Sequence, residues 1–144
     1  MVTLVTGANG FVGSALCARL CKEDSLVRGA VRSLSLCPDG VQAFAIGSLS
    51  SNTDWTAALK NVKQVVHLAA RVHVMNDKSS DQVAEFCRVN VEGTAILARQ
   101  AVAAGVKRFI FLSSIKVNGE FTVTGQAFTA DDRPAPEDRD RRGG

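Results

Sequence analysis

The run VTLVTGANGFVG, residues 2–13, constrains this chain more than any other stretch. A β-branched apolar segment, Val2 to Thr6, enters Gly7-Ala8-Asn9-Gly10-Phe11-Val12-Gly13, and an apolar-periodic segment follows at once. Strand, glycine turn and helix in that order form the context in which a G-x-x-G-x-x-G loop cradles a dinucleotide. Gly7 turns the chain off the strand, Gly10 lets backbone approach a pyrophosphate, and Gly13 lets the helix pack closely. The helix N-terminus then presents unpaired N–H groups and the positive end of its dipole to the phosphates. An ordinary strand-to-helix turn is the plain alternative. The full strand–loop–helix context, starting at residue 2, favours the dinucleotide.

Alternation of short β-rich runs with helical periodicity continues downstream. The pattern predicts a helix over Phe11 to Lys22, with Val12, Ala15, Leu16, Arg19 and Leu20 on its buried face. It predicts strands over Leu26 to Val31 and Val41 to Ile46, then a short helix capped by Asn52 or Thr53. Gln64 to Ala70, apolar almost throughout, suits a strand buried on both faces. A long helix follows from Asp81 to Ala104, burying Ala84, Val91, Ala95, Leu97 and Val102 and stopping at Gly105. Val106 to Ser113 is the fifth strand. Such alternation requires parallel pairing and right-handed crossovers, hence an α/β sandwich, with sheet order 3-2-1-4-5 expected. Residues 118–144 carry turn residues and a dense charge run without strand or helix signal, and read as a poorly ordered tail behind a domain of residues 1–117.

Composition narrows the function classes. With 46% hydrophobic and 22% charged residues, the chain is globular rather than disordered. No apolar run reaches the length of a membrane span, and no signal-like segment precedes the first strand, so no membrane partner and a cytoplasmic location are expected. The net charge of +3 is mild, and Arg133, Arg139, Arg141 and Arg142 interleave with acidic residues, unlike the basic stripe of a nucleic-acid binder. Cys17, Cys21, Cys37 and Cys87 form no C-x-x-C pair and lie at no zinc-ligand spacing, so free thiols and no metal are expected.

Five motifs occur in order: TGANGFVG at 6–13, HLAA at 67–70, VNVEGT at 89–94, FLSSIKVNGE at 111–120 and DDRPAPED at 131–138. On these the chain resembles the N-terminal part of an extended short-chain dehydrogenase/reductase of the nucleotide-sugar epimerase/dehydratase group. The resemblance implies a Rossmann-like doubly wound parallel sheet of about five strands, NAD or NADP as cofactor, and a nucleotide-sugar substrate in the full-length family. It assigns the cofactor to Gly7, Asn9, Gly10, Phe11, Val12 and Gly13, and to Leu68, Ala69 and Ala70, where small residues let a ligand lie against backbone. It also assigns Asn90 to the active-site hydrogen-bond network, and Ser114 to the catalytic hydroxyl that bonds the reacting sugar oxygen. His67 reads as a strand-end packing residue rather than a base.

Three departures qualify the resemblance. The family's Tyr-x-x-x-Lys helix should follow P-A-P-E-D, but aligning that segment puts Asp140 at the tyrosine and Gly144 at the lysine, and the chain contains no tyrosine. Aspartate, with an ordinary pKa of about 3.9, is ionised and cannot donate as a phenol does. The second strand ends Val31-Arg32-Ser33 where an NAD-preferring domain places a carboxylate, so Arg32, with Arg28 nearby, leans toward a 2′-phosphate. Gly47-Ser48-Leu49 stands where relatives carry Gly-Asp-Leu. The expectation is a truncated, catalytically silent dinucleotide-binding half that self-associates through uncovered apolar surface. A non-catalytic binding module or sensor and an inactive gene fragment remain as alternatives.

Overall fold

The computed structural model describes residues 1–23, 25–34, 37–71, 81–119, 121–122 and 124–134. Strand β1 (Val2–Thr6) lies at the centre of the sheet, flanked by β2 (Leu26–Val31) and β4 (Gln64–His67). β3 (Gln42–Ala45) and β5 (Arg108–Phe111) are the outer strands of the order β3-β2-β1-β4-β5. Every pairing is parallel. The register aligns Thr6 with Ala30 on one side and with His67 on the other, and His67 with Phe111. The C-terminal strand ends therefore form one edge, where open α/β sheets place their ligand crevice.

β1 shows why the sheet needs helices on both sides. Side chains alternate across a strand, and here both faces are buried. Leu4 points into a cluster with Trp55, Leu59, Leu97 and Ala101, whereas its neighbour Val5 packs with Cys17, Val27 and Val31. Helix α1 (Phe11–Lys22) covers the Val5 face. Helices α2 (Thr56–Leu59) and α4 (Gly93–Ala103) cover the Leu4 face.

α1 turns a different face inward from the one expected. Gly13 and Cys17 are its buried residues, with Leu16, Leu20 and Cys21 packed beside them, while Val12, Ala15 and Arg19 are exposed. The cause is local: the helix enters with Gly13 pressed on the Gly7 carbonyl, so the inward stripe runs through 13 and 17. α2 starts later than the caps Asn52 and Thr53 predict. Trp55 occupies the N-cap without a side-chain bond; Asp54 Oδ1 accepts the Thr56 N–H at 2.9 Å, and Gln100 Oε1 accepts the Trp55 N–H at 2.8 Å.

The expected long helix is three pieces in continuity: α3 (Gln82–Phe86), a π-helical stretch over Cys87–Glu92, and α4. Asp81 caps its start by accepting the Ala84 N–H at 2.9 Å. A π turn inserts about one residue and rotates the downstream turns relative to a uniform 3.6-residue period. The buried stripe of α4 is accordingly Gly93, Leu97 and Ala101. Of the expected core positions Leu97 is buried and Ala95 half-buried, whereas Ala84 is exposed, Val91 is 62% exposed and Val102 79% exposed. The C-terminus closes as expected at Gly105 (φ +74°), whose N–H bonds the Val102 carbonyl while the Val106 N–H bonds that of Ala101.

The chain divides into two compact units, residues 1–111 and 112–144. The second contains a short 3-10 helix, Ile115–Asn118, beyond the end of β5. Among the described residues no helix is long and apolar enough to cross a membrane.

Candidate functional site

The glycine loop is held by backbone contacts that side chains would break. Gly7 is left-handed (φ +65°), and a Cβ there would lie 3.0 Å from the Ala69 nitrogen. Two motifs distant in sequence, GANG and HLAA, thus touch through backbone. A Cβ on Gly13 would sit 2.0 Å from the Gly7 carbonyl oxygen. At Gly10 a Cβ would meet only that same oxygen, at 3.2 Å, among the described residues. Gly10 is the N-cap of α1 and supplies no side-chain bond, and the first turn has no acidic residue. Among the described residues the Phe11, Val12 and Gly13 N–H groups are therefore left as donors at the dipole's positive end. Asn9 and Gly10 are exposed and Phe11 is 95% exposed, so the loop opens outward.

Gly29 on β2 belongs to the same construction, and the sequence reading missed it. A Cβ there would stand 2.9 Å from the Ala8 Cβ and 2.8 Å from Val41 Cγ1. A glycine inside a β-branched strand was the available signal of close approach.

On the other side of β1, the end of β4 is tied down by a buried polar network. Thr6 Oγ1 lies 2.6 Å from His67 Nδ1 and accepts the N–H groups of Leu68 and Ala69, each at 3.1 Å. His67 Nε2 lies 2.9 Å from Thr94 Oγ1, whose hydroxyl donates to the Asn90 carbonyl at 2.7 Å. The ring packs between Phe109 and Phe111, stacked on the latter at 5.7 Å. Burial pushes the His67 pKa down to about 4, so the imidazole is neutral at physiological pH. His67 is thus packed and doubly bonded at the end of its strand. Neither Thr6 nor Thr94 was legible as a partner, since nothing in sequence links residues 6, 67 and 94.

Asn90, inside the π-helical stretch, clamps the loop after β4. Its Oδ1 accepts the Arg71 N–H at 2.7 Å and its Nδ2 donates to the Arg71 carbonyl at 2.9 Å. Leu68 and Ala69 are half-buried and Ala70 is exposed, along the edge that the Gly7 turn touches.

The two arginines considered for a 2′-phosphate differ sharply. Arg28 is committed: its guanidinium donates to the Ala58 carbonyl at 3.0 Å, to the Lys60 carbonyl and to Gln42 Oε1 at 3.1 Å, and stacks over Phe44. It serves the C-terminus of α2. Arg32 follows the end of β2 and is exposed, with no bonded partner among the described residues. Leu49 of the Gly47-Ser48-Leu49 turn is buried in the core, and Ser48 is exposed.

Ser114 belongs to the second unit. It caps the 3-10 helix, its Oγ accepting the Lys116 N–H at 3.3 Å, and it lines a concavity with Asn118, Thr129 and Asp132. Asp132 organises that wall, accepting the Thr129 N–H on Oδ2 at 2.6 Å and the Asn118 amide on its carbonyl at 3.0 Å. The aligned positions Asp140 and Gly144 lie outside the described residues. Cys17, Cys21, Cys37 and Cys87 are all free thiols. Burial, then the neighbouring Cys21 and Cys37, pushes the Cys17 thiol up to about 11.

Comparison with known proteins identifies the family. The profile of the NAD dependent epimerase/dehydratase family covers residues 3–139. The chain belongs to that family. Its relatives include a UDP-glucose 4-epimerase from Vibrio cholerae, 48% identical over 136 residues, which are 94% of this chain and 41% of that protein. A 3-beta-hydroxysteroid dehydrogenase from Mycolicibacterium neoaurum is 32% identical over 130 residues, 85% of this chain and 35% of that protein. Among solved structures, MoeE5 in complex with UDP-glucose and NAD superposes with a TM-score of 0.77 at 34% identity, over 94% of this chain and 43% of that one. The epimerase/dehydratase chain described here thus spans about two fifths of the length of such relatives.

Proposed function

We propose that this chain is the cofactor-binding part of a nucleotide-sugar epimerase-type oxidoreductase and binds NAD or NADP along the C-terminal edge of its sheet. The observation that carries the reading is the uncapped start of α1, opening off a left-handed Gly7 turn that rests on the Ala69 backbone. The donors of Phe11, Val12 and Gly13 would receive the pyrophosphate, with Asn9 and Gly10 beside it. Leu68, Ala69, Ala70 and Asn90 would border the nicotinamide half, and Arg32 the adenosine ribose. The bound nicotinamide supplies hydride chemistry. Ser114 would hydrogen-bond the substrate oxygen, its own proton being uncommitted among the described residues. The UDP-glucose in the names of the 48% identical relative and of MoeE5 supports a UDP-sugar; the 3-beta-hydroxysteroid dehydrogenase at 32% identity supports a steroid alcohol as the second reading.

These 144 residues contain no tyrosine, so the phenol that the family uses to exchange the substrate proton is not among them. Cofactor binding without turnover is the reading for the chain by itself. Titration calorimetry with NAD and NADP tests it against Gly10→Val, whose side chain would occupy the phosphate approach. Micromolar binding by the parent, lost in the variant, and no turnover of UDP-glucose are expected. Equal binding by both proteins would overturn the loop assignment.

A further inference from the structure

The hydrogen bonds around His67 can point only one way. A hydroxyl has two lone pairs and one proton. The Leu68 and Ala69 N–H groups occupy both lone pairs of Thr6 Oγ1. Its proton must therefore go to His67 Nδ1, 2.6 Å away, which leaves Nδ1 bare. The ring proton then sits on Nε2 and donates to Thr94 Oγ1, and the Thr94 proton passes on to the Asn90 carbonyl. The rail runs in one direction, from the amides of 68 and 69 through three side chains to the π-helical stretch. Asn90 closes the loop by holding the Arg71 N–H and carbonyl with its own side chain.

Along residues 68–71 the amides of Leu68, Ala69 and Arg71 are thereby consumed. That of Ala70, an exposed residue, bonds no group among the described residues. We propose that Thr6, His67 and Thr94 are positioning residues that fix the 68–71 turn, so that the Ala70 N–H is the backbone donor a dinucleotide meets there. The inference rests on the dinucleotide reading for its ligand, but not for the rail itself. The polarity is the functional point. Reversing the ring, or placing a proton on Nδ1, sets a donor against an oxygen without a free lone pair and releases the turn. The aromatic walls Phe109 and Phe111 offer the imidazole no other polar partner.

The experiment uses the whole chain, labelled with 15N. Imidazole spectra should show His67 protonated at Nε2 and bare at Nδ1, unchanged from pH 8 to about pH 5. Amide exchange should be slow at Leu68 and Ala69 and fast at Ala70, and NAD should protect Ala70. Thr6→Ser should keep parental affinity. Thr6→Val and Thr94→Val should each weaken NAD about tenfold, and Thr6→Val should speed exchange at 68 and 69. An Nδ1–H tautomer, or a ring that titrates near neutrality, would overturn the rail even if the valine variants fail to fold. If the parent binds no dinucleotide, the binding reading and the role of Ala70 fail, while the tautomer and exchange data still decide the rail. Parental affinity in both valine variants would overturn the positioning role.

Discussion

Gly13 rests directly on the carbonyl of Gly7: a Cβ at position 13 would lie 2.0 Å from that oxygen and 2.9 Å from its carbon. The obstacle is backbone, not a side chain that could swing aside. Gly13→Ala must therefore lift α1 off the loop or unwind its first turn. The expected cost is about 3 kcal/mol, the upper range for overpacking, together with loss of dinucleotide binding. Gly47→Ala is the control. It is strained by its φ of +62° but meets no atom within 4 Å, and should cost about 1 kcal/mol. Urea titration of the two variants should separate them, and equal costs would refute the contact argument.

His67 ties stability to pH. Its native pKa is depressed by burial to about 4, against 6.5 for the free side chain, so the unfolded chain binds the proton that the native state refuses. The contribution is present in full above pH 6.5 and is lost as pH falls toward 4. The whole loss is on the order of 3 kcal/mol, of which about 2 has gone by about pH 5. His67→Gln should be less stable at about pH 7.5 yet show a flatter profile between roughly pH 7 and pH 5. Parallel profiles for the two proteins would mean that another group supplies the slope.

What could be read before folding divides along physical lines. The strands and their order were legible because β-branched runs such as Val2–Thr6 and Leu26–Val31 are punctuated by turn residues, and parallel alternation permits few topologies. Helix faces were less so. Periodicity places a stripe relative to itself, but the Gly13 contact sets the rotation of α1, and the π turn at Cys87–Glu92 shifts the phase of α4. Val102 misled for that reason. At the site, the glycine loop and HLAA were legible as motifs, and their contact through Gly7 and Ala69 is what the fold adds. The Thr6–His67–Thr94 network joins three segments far apart in the chain, and only the register of β1 with β4 reveals it.

Cofactor choice should follow Arg32 and ignore Arg28. Arg28 lies within β2 and Arg32 just past its end, yet Arg28 commits its guanidinium to the carbonyls of Ala58 and Lys60. Arg28→Met should lower stability by about 1–2 kcal/mol through the lost charged hydrogen bonds and leave the NADP-to-NAD affinity ratio alone. Arg32→Ala should leave stability within about 0.5 kcal/mol and lower that ratio about fivefold or more, since a surface arginine without partners among the described residues matters chiefly to a ligand phosphate. Calorimetric titration with both cofactors checks the ratio. An unchanged ratio in Arg32→Ala would place the 2′-position elsewhere.

The outer strand β5 bears on how the chain behaves in solution. Among the described residues it pairs with β4 on one side and has no further strand beside it in the sheet, while Ile110 is 41% exposed and Phe111 53% exposed. Unpaired backbone beside apolar side chains is a template for another chain, and natural edges are commonly blunted by lysine or proline. The expected behaviour of these 144 residues is concentration-dependent self-association through this edge. Phe111 stacks on His67, so its replacement would also disturb the buried network. Ile110→Lys avoids that stacking contact and places a charge directly on the edge. Sedimentation velocity should show the parent shifting to larger species as concentration rises, with Ile110→Lys remaining monomeric and melting cooperatively. A parent that stays monomeric at several hundred micromolar would show that the edge is protected, and self-association would then be the wrong reading of this surface.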